Sequence, residues 1–260
     1  MEKVTGEIDV DAKGIVIKQL VFTGPNVEPT GLAFQSGLNL IYGASNTGKS
    51  FALESLDFML GGSKKLANIK ERKGYETVWL GFSIEGVGNF TLSRSIDGGG
   101  YKLYEGIVTS HQSTQKPTKL SARHDAKKEN NLSLFLLKHL GLAGKLVAAK
   151  SNGATNNLSI RDMANISLVD ETSIQSKISP IESGQYVLRM KERSVFRLLL
   201  SGKDDSAITP IETDNFTFTK NIRLKMISEM IADIELKLAI ISLIILSRIF
   251  FVNVKLSDLK

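Results

Sequence analysis

The sequence predicts an α/β fold with an antiparallel β-lobe and a C-terminal helical arm, on three observations. A glycine-rich motif stands between a short apolar run and an amphipathic helical pattern at residues 35–60. Three alternating, glycine-punctuated runs follow at 77–104, and beyond residue 221 apolar residues recur at coiled-coil spacing.

The chain has 260 residues, 42% of them hydrophobic and 23% charged, enough for one large domain or two small ones around a real core. Lys and Arg outnumber Asp and Glu by 33 to 27, which permits an anionic partner without demanding one. There is no cysteine, so disulfide scaffolds, thiolate metal sites and cysteine nucleophiles are excluded. His111, His124 and His139 are too dispersed for a zinc site. The opening MEKVTGEIDVDAKG lacks the basic-then-apolar layout of a secretion signal, so a cytoplasmic chain is expected.

Leu38, Leu40, Ile41 and Tyr42 read as a buried strand, and Gly43-Ala44-Ser45-Asn46-Thr47-Gly48-Lys49-Ser50 fits G-x-x-x-x-G-K-[ST] in full. Such a turn lets successive backbone N–H groups converge on a β-phosphate, and the following helix adds the positive end of its dipole. Lys49 is placed to reach the β/γ-phosphates and the Ser50 hydroxyl to ligate Mg²⁺. Phe51, Leu53, Leu56, Met59 and Leu60 supply the apolar stripe of that helix. The bland alternative is a chance match in a glycine-rich loop; the flanking strand and helix patterns argue against it.

Ile15–Val21 and Gly31–Phe34 read as strands leading into the motif. After the helix come Gly61-Gly62, a basic stretch, and the runs Thr77–Ile84, Asn89–Ser95 and Tyr101–Tyr104. Their alternation and turn chemistry predict an antiparallel meander, where a small-molecule kinase would alternate strands and helices. With GLNLIYGASNTGKSFALESLDFMLGG, then GYETVWLGFSI, NFTLSRSI and GYKLYEG, the chain resembles the N-terminal half of an SMC-type ABC ATPase head. That P-loop NTPase group includes RecN, RecF, SbcC and the Rad-type double-strand-break repair ATPases. The likeness spans residues 15–105 well and 131–206 more loosely. One departure is Ser45-Asn46, where the family usually places Asn-Gly; Asn tolerates a left-handed backbone, so the loop can still close.

The resemblance implies an ATP and Mg²⁺ site in which Gly43 to Phe51 hold the nucleotide and Lys49 serves catalysis. It also implies a Q-loop, with Gln175 bringing its amide to the metal and the attacking water, and Gln185 as a second candidate. The Arg-bearing segment Glu192–Gly202 resembles the helix that follows the Q-loop. A competing reading takes Ile166-Ser167-Leu168-Val169-Asp170-Glu171 as a Walker B strand, with Asp170 on the Mg²⁺ water shell and Glu171 polarising the attacking water. Ser167 interrupts that run and no LSGGQ-like signature precedes it; plain structure is the third reading.

Residues 107–131 are polar and basic and read as a solvated loop. Lys116, Lys119, Arg123, Lys127 and Lys128 could form a nucleic-acid patch, although aromatics for stacking are missing. Leu132–Leu142 reads as a buried helix, and 203–219 as a polar hinge holding Asp204, Asp205, Pro210 and Asp214. Ile227, Ile231, Ile234, Leu238, Ile241 and Ile245 alternate steps of four and three, the coiled-coil interval, which suits the arm of an SMC-type head. Leu238–Val254 is greasy but too short for a membrane span, and it contains Arg248 and Asn253; a buried or partner-covered helix is expected.

The expected organisation is therefore a head half at 1–215 and the start of a helical arm at 216–260. The family implies that a C-terminal half supplies the signature motif, Walker B and a switch histidine, and that two heads sandwich ATP as a dimer. The expected function is ATP binding in an assembly acting on DNA in repair, chromosome handling or defence, with hydrolysis only when those motifs arrive in trans. The alternatives are a nucleotide-stabilised interaction module that docks a partner or membrane surface, and a self-contained NTPase using Asp170 and Glu171.

Overall fold

The computed structural model describes residues 14–45, 47–62, 65–109, 116–150, 152–179, 181–209 and 222–238. The fold is α/β. Ile15–Gly24 (β1) and Val27–Ala33 (β2) form a hairpin, and Thr77–Ile84 (β3), Gly88–Ser95 (β4) and Gly98–Glu105 (β5) form the expected meander. With Thr118–Leu120 (β6) they make a six-stranded sheet in the order β2-β1-β3-β4-β5-β6, every neighbouring pair antiparallel. The strand β6 lies inside the stretch expected to be a solvated loop. Leu120 is the reason: it is buried in the sheet core while Thr118 and Lys119 on either register position stay exposed.

Helix α1 (Lys49–Met59) packs on this sheet through Phe58 and Met59, which join Leu20, Val78, Leu80 and Leu92 in the main core. The predicted stripe missed Phe58, because burial here extends round to the side that faces Arg94 and Tyr101. Buried Arg94 donates from Nη1 to the Phe58 carbonyl at 2.6 Å, and its guanidinium lies 4.0 Å from the Phe58 ring centroid and 4.7 Å from that of Tyr101. A cation at a helix C-terminus meets the negative end of the dipole and orphan carbonyls together. Burial draws the Arg94 guanidinium below its usual range, and burial pushes the Tyr101 hydroxyl up to about 12.

The helix stops where its sequence says it should. Gly61 is left-handed at φ 89°, its N–H reaches the Phe58 carbonyl at 3.2 Å, and the Gly62 N–H reaches that of Asp57 at 2.8 Å. This is a Schellman ending. A Cβ on Gly62 would stand 1.8 Å from Asp57 Oδ2, the carboxylate that pairs with Arg161.

Beyond the sheet come α2 (Leu132–His139), the short pair β7 (Leu146–Ala148) and β8 (Thr155–Asn157), α3 (Ile160–Ser167), α4 (Glu171–Gln175) and α5 (Arg189–Ser201). Leu137, Val147, Leu158, Val195 and Leu198 close a second core among them. A capping box of Ser159 and Asp162 starts α3, and Gly202 in the left-handed region ends α5. Asp205, expected in a polar hinge, is instead buried: its carboxylate accepts from the Ala148 amide at 2.7 Å and from Ser194 and Arg197.

The chain divides into two compact units after Ile208. In the second, residues 222–238 are helical, with Ile227, Ile231, Ile234 and Leu238 all exposed. Pro210, Asp214, Ile241, Ile245 and the greasy tail beyond 238 lie outside the described residues. Among the described residues no helix is long and apolar enough to cross a membrane.

The two partners in the Asp205 network differ in burial, 4% of the Asp205 side chain being exposed against 59% of Arg197. Asp205→Ala takes the buried acceptor from the Ser194 hydroxyl and leaves the Ala148 amide only its longer bond to Ser194 Oγ at 3.1 Å, and is expected to cost about 2–4 kcal/mol. Arg197→Ala gives up a largely solvated partner and is expected to cost about 1 kcal/mol or less. Urea unfolding of the two variants checks the ordering; equal losses would contradict it.

Candidate functional site

The motif at 43–50 folds as a loop closing onto the start of α1. Gly48 occupies the left-handed region at φ 86° and offers the helix no side-chain cap, and no acid stands in the first turn. The leading amides of α1 are therefore not claimed by a carboxylate, the electrostatic condition for an anion at a helix start. Lys49 bends back over the loop: its Nζ donates to the Gly43 carbonyl at 2.9 Å, to the Ala44 carbonyl at 2.5 Å and to Thr47 Oγ1 at 3.3 Å. Thr47 Oγ1 in turn donates to the Ala44 carbonyl at 2.8 Å. Ala44, Ser45 and Ser50 are exposed, Asn46 lies outside the described residues, and Phe51 turns inward to stack on Phe22 with centroids 5.6 Å apart.

The segment before the loop is not the buried strand that its composition predicts. Residues 38–43 carry no strand, and Leu38, Leu40 and Tyr42 are 96%, 78% and 86% exposed. A strand is held by ladder partners, and an apolar run finds none among the described residues of this chain. The second strand that the sequence suggested is also absent. Ile166 and Ser167 are the last residues of α3, and 168–170 are irregular, so neither the Walker B nor the Q-loop reading has the strand it needs there. Asp170 instead caps α4, accepting from the Ser173 amide at 2.7 Å; the Ser173 hydroxyl first, and then this amide, hold its carboxyl below the usual range.

A cavity of about 600 Å³ lies between α1, the end of α3 and the start of α5. Leu53, Glu54 and Asp57 of α1 line it together with Asp170 and Gln185, so two of the predicted site residues come to the flank of the phosphate-loop helix. Glu171 and Gln175 do not line it; both are exposed on α4. Magnesium keeps most of its water and takes few protein ligands alongside phosphate, so the Ser50 hydroxyl and the Asp170 carboxylate are each of a chemically suitable type, but only Asp170 lines the cavity. Among the described residues no group of three His, Asp or Glu is placed to hold a metal unaided.

Two residues of this neighbourhood went unread in the sequence. Asp57 pairs with Arg161 across the gap from α1 to α3. Glu192, on the inner side of α5, is 8% exposed and lines the cavity. Its position one turn before buried Val195 in an amphipathic helix was the available signal.

A second cavity, about 520 Å³, lies over the polar stretch and is lined by Arg123, His124, Lys128, Asn131 and Asn157. Of the predicted basic patch, Arg123 and Lys128 face it, while Lys116, Lys119 and Lys127 are exposed elsewhere on the stretch. Lys128 is partly neutralised by Asp125 at 3.8 Å. The Ser133 hydroxyl accepts from the Ile160 amide at 2.9 Å and lies 2.8 Å from His124 Nδ1, in a hydrogen bond whose direction the imidazole tautomer sets.

The chain matches no protein-family model and no curated protein.

Burial lowers the His124 imidazole from its ordinary 6.5, with nearby Asp162 and Asp125 opposing the shift and Lys191 adding to it. The unfolded chain then takes up a proton that the folded one refuses. The resulting stability is present above about pH 6.5 and is lost as pH falls from there through the lower value of the folded state. Thermal unfolding between pH 7.5 and 5.5 is expected to show a smaller decline for His124→Gln than for the unaltered chain; parallel profiles would remove His124 as the cause.

Proposed function

We propose that this chain is the ATP-binding N-terminal half of an SMC- or Rad-type ATPase head that acts on DNA. The observation that carries the reading is the complete phosphate-loop motif ending in an uncapped helix start, with Lys49 gathered over the Gly43 and Ala44 carbonyls. In this reading the amides of Gly48 to Phe51 bind the phosphates, and Lys49 exchanges its carbonyl partners for phosphate oxygens. Ser50, with Asp170 or a Q-loop glutamine (Gln175 or Gln185), holds Mg²⁺. The metal neutralises charge on the triphosphate when bound.

The exposed run Leu38–Tyr42 supports the second part of the proposal, an incomplete site. An exposed apolar run beside a phosphate loop calls for strands supplied by another segment or chain, and the family expectation is that the signature motif and Walker B come with them. Hydrolysis then waits for assembly, since charge placement around the γ-phosphate is most of the catalysis. Exposed Ile227, Ile231 and Ile234 in the second unit suit a helical arm that meets a partner helix. Arg123, Lys119 and Lys127 are available for phosphate contacts with DNA.

Titration with a fluorescent ATP analogue and Mg²⁺ is expected to give saturable binding that Lys49→Ala weakens at least about 100-fold, some 2.7 kcal/mol by the tenfold rule. Unchanged affinity in that variant would refute the assignment. Turnover by the chain alone at rates typical of ATPases would refute the requirement for a partner.

A further inference from the structure

The cavity beside α1 has a feature that nucleotide binding does not use. Glu192 is 8% exposed, and while its Oε2 accepts from the Ser183 amide at 3.2 Å, its Oε1 is buried with no hydrogen-bond partner. Carboxylate oxygens accept only, and one taken out of water without a donor is costly to keep. The residues around it do not supply that donor. Arg161 is paired with Asp57, and the two arginines nearest along α5, Arg189 and Arg193, both pair with Glu182.

The remaining lining is of two kinds. Leu53, Leu66, Leu168, Val169 and Leu188 give apolar walls, and among the described lining residues Glu54 and Asp170 add negative charge against one cation outside an ion pair, Lys65. A hard metal ion needs several oxygens converging at about 2–2.5 Å, and no such group exists among the described residues. A buried carboxylate at the wall of a part-apolar, net-negative cavity suits a different ligand, a planar cation that brings N–H donors on an apolar stem.

We propose that this cavity is a binding site for a guanidinium group on an aliphatic chain, with Glu192 as its anchor. The chemistry is that of agmatine-like small molecules and of an arginine side chain presented by a peptide. At about 600 Å³ the space accommodates either. A turn of the Glu192 carboxylate about its last torsion presents the covered Oε1 to the guanidinium N–H groups, the stem lies against Leu168 and Leu188, and Glu54 adds a peripheral attraction. Its anchor, Glu192, takes no part in the nucleotide-binding reading, although Asp170 and Gln185 of that reading stand on the same cavity wall, and the proposal goes beyond it.

The test is thermal unfolding of the full chain with agmatine and, separately, N-acetyl-arginine amide, each up to about 10 mM. A rise in the unfolding midpoint with agmatine identifies a free amine as source; a rise confined to the blocked arginine identifies a peptide-borne side chain. Either supports the site. Glu192→Gln is expected to weaken the protecting ligand at least tenfold, because the new amide offers donors where the ligand needs acceptors. Should that variant unfold, Ala67→Trp at the exposed rim, which narrows the cavity and leaves the carboxylate intact, is expected to abolish the protection. Protection retained in Lys49→Ala separates this site from failure or success of the nucleotide reading. No shift with either compound, an undiminished shift in the cavity variants, or displacement by Mg²⁺ would overturn the proposal.

Discussion

The structure turns on a buried guanidinium. Arg94 rises from the middle of the sheet into the end of α1, where it meets the Phe58 carbonyl and lies over two aromatic rings. Without it the last turn of the helix would bury polar groups against Leu80 and Leu92, and the helix could not sit so deep. The loop at 43–48 is positioned by that seating, because a helix whose far end is fixed has an N-terminus whose direction is fixed as well. The Asp57–Arg161 pair then carries the same constraint onward to α3, so sheet, loop helix and the second core share one frame.

How much of this could be read from the residues varies with the kind of interaction. The meander was legible because alternation and Gly86, Gly88 and Gly98 state its register locally; β3 begins and ends at the predicted residues. That a helix follows Gly48 and that a helical segment ends at Gly202 were legible for the same reason, since glycine signals and helical stripes are local. Leu38–Tyr42 was misread because composition reports a preference for burial but not whether a neighbour exists to provide it. Ile166–Glu171 failed differently: Ser159 and Asp162 upstream had already nucleated a helix that runs through Ser167.

The candidate site was legible only where it is a contiguous motif. Gly43 to Ser50 announces itself, whereas Arg94, Asp205 and Glu192 acquire meaning only through chains of contact distant in sequence. A clue was present for one of them. Phe90, Leu92 and Arg94 occupy one face of β4, so an arginine in the apolar row signalled a cation whose partners lie inside. Asp205 gave no such clue, for it follows Gly202-Lys203-Asp204 and looks like solvated turn chemistry until β7 is folded against it.

One constraint on future change in this chain sits at a residue without a side chain. At position 62 the α-carbon passes so close to Asp57 that any methyl would occupy the carboxylate's own place. A descendant carrying alanine there could keep the Schellman turn or the link from α1 to α3, but not both. Evolutionary drift around the helix ending is thus channelled: the apolar residues before it can exchange among themselves, while this one glycine is locked by an ion pair to which it contributes no atom.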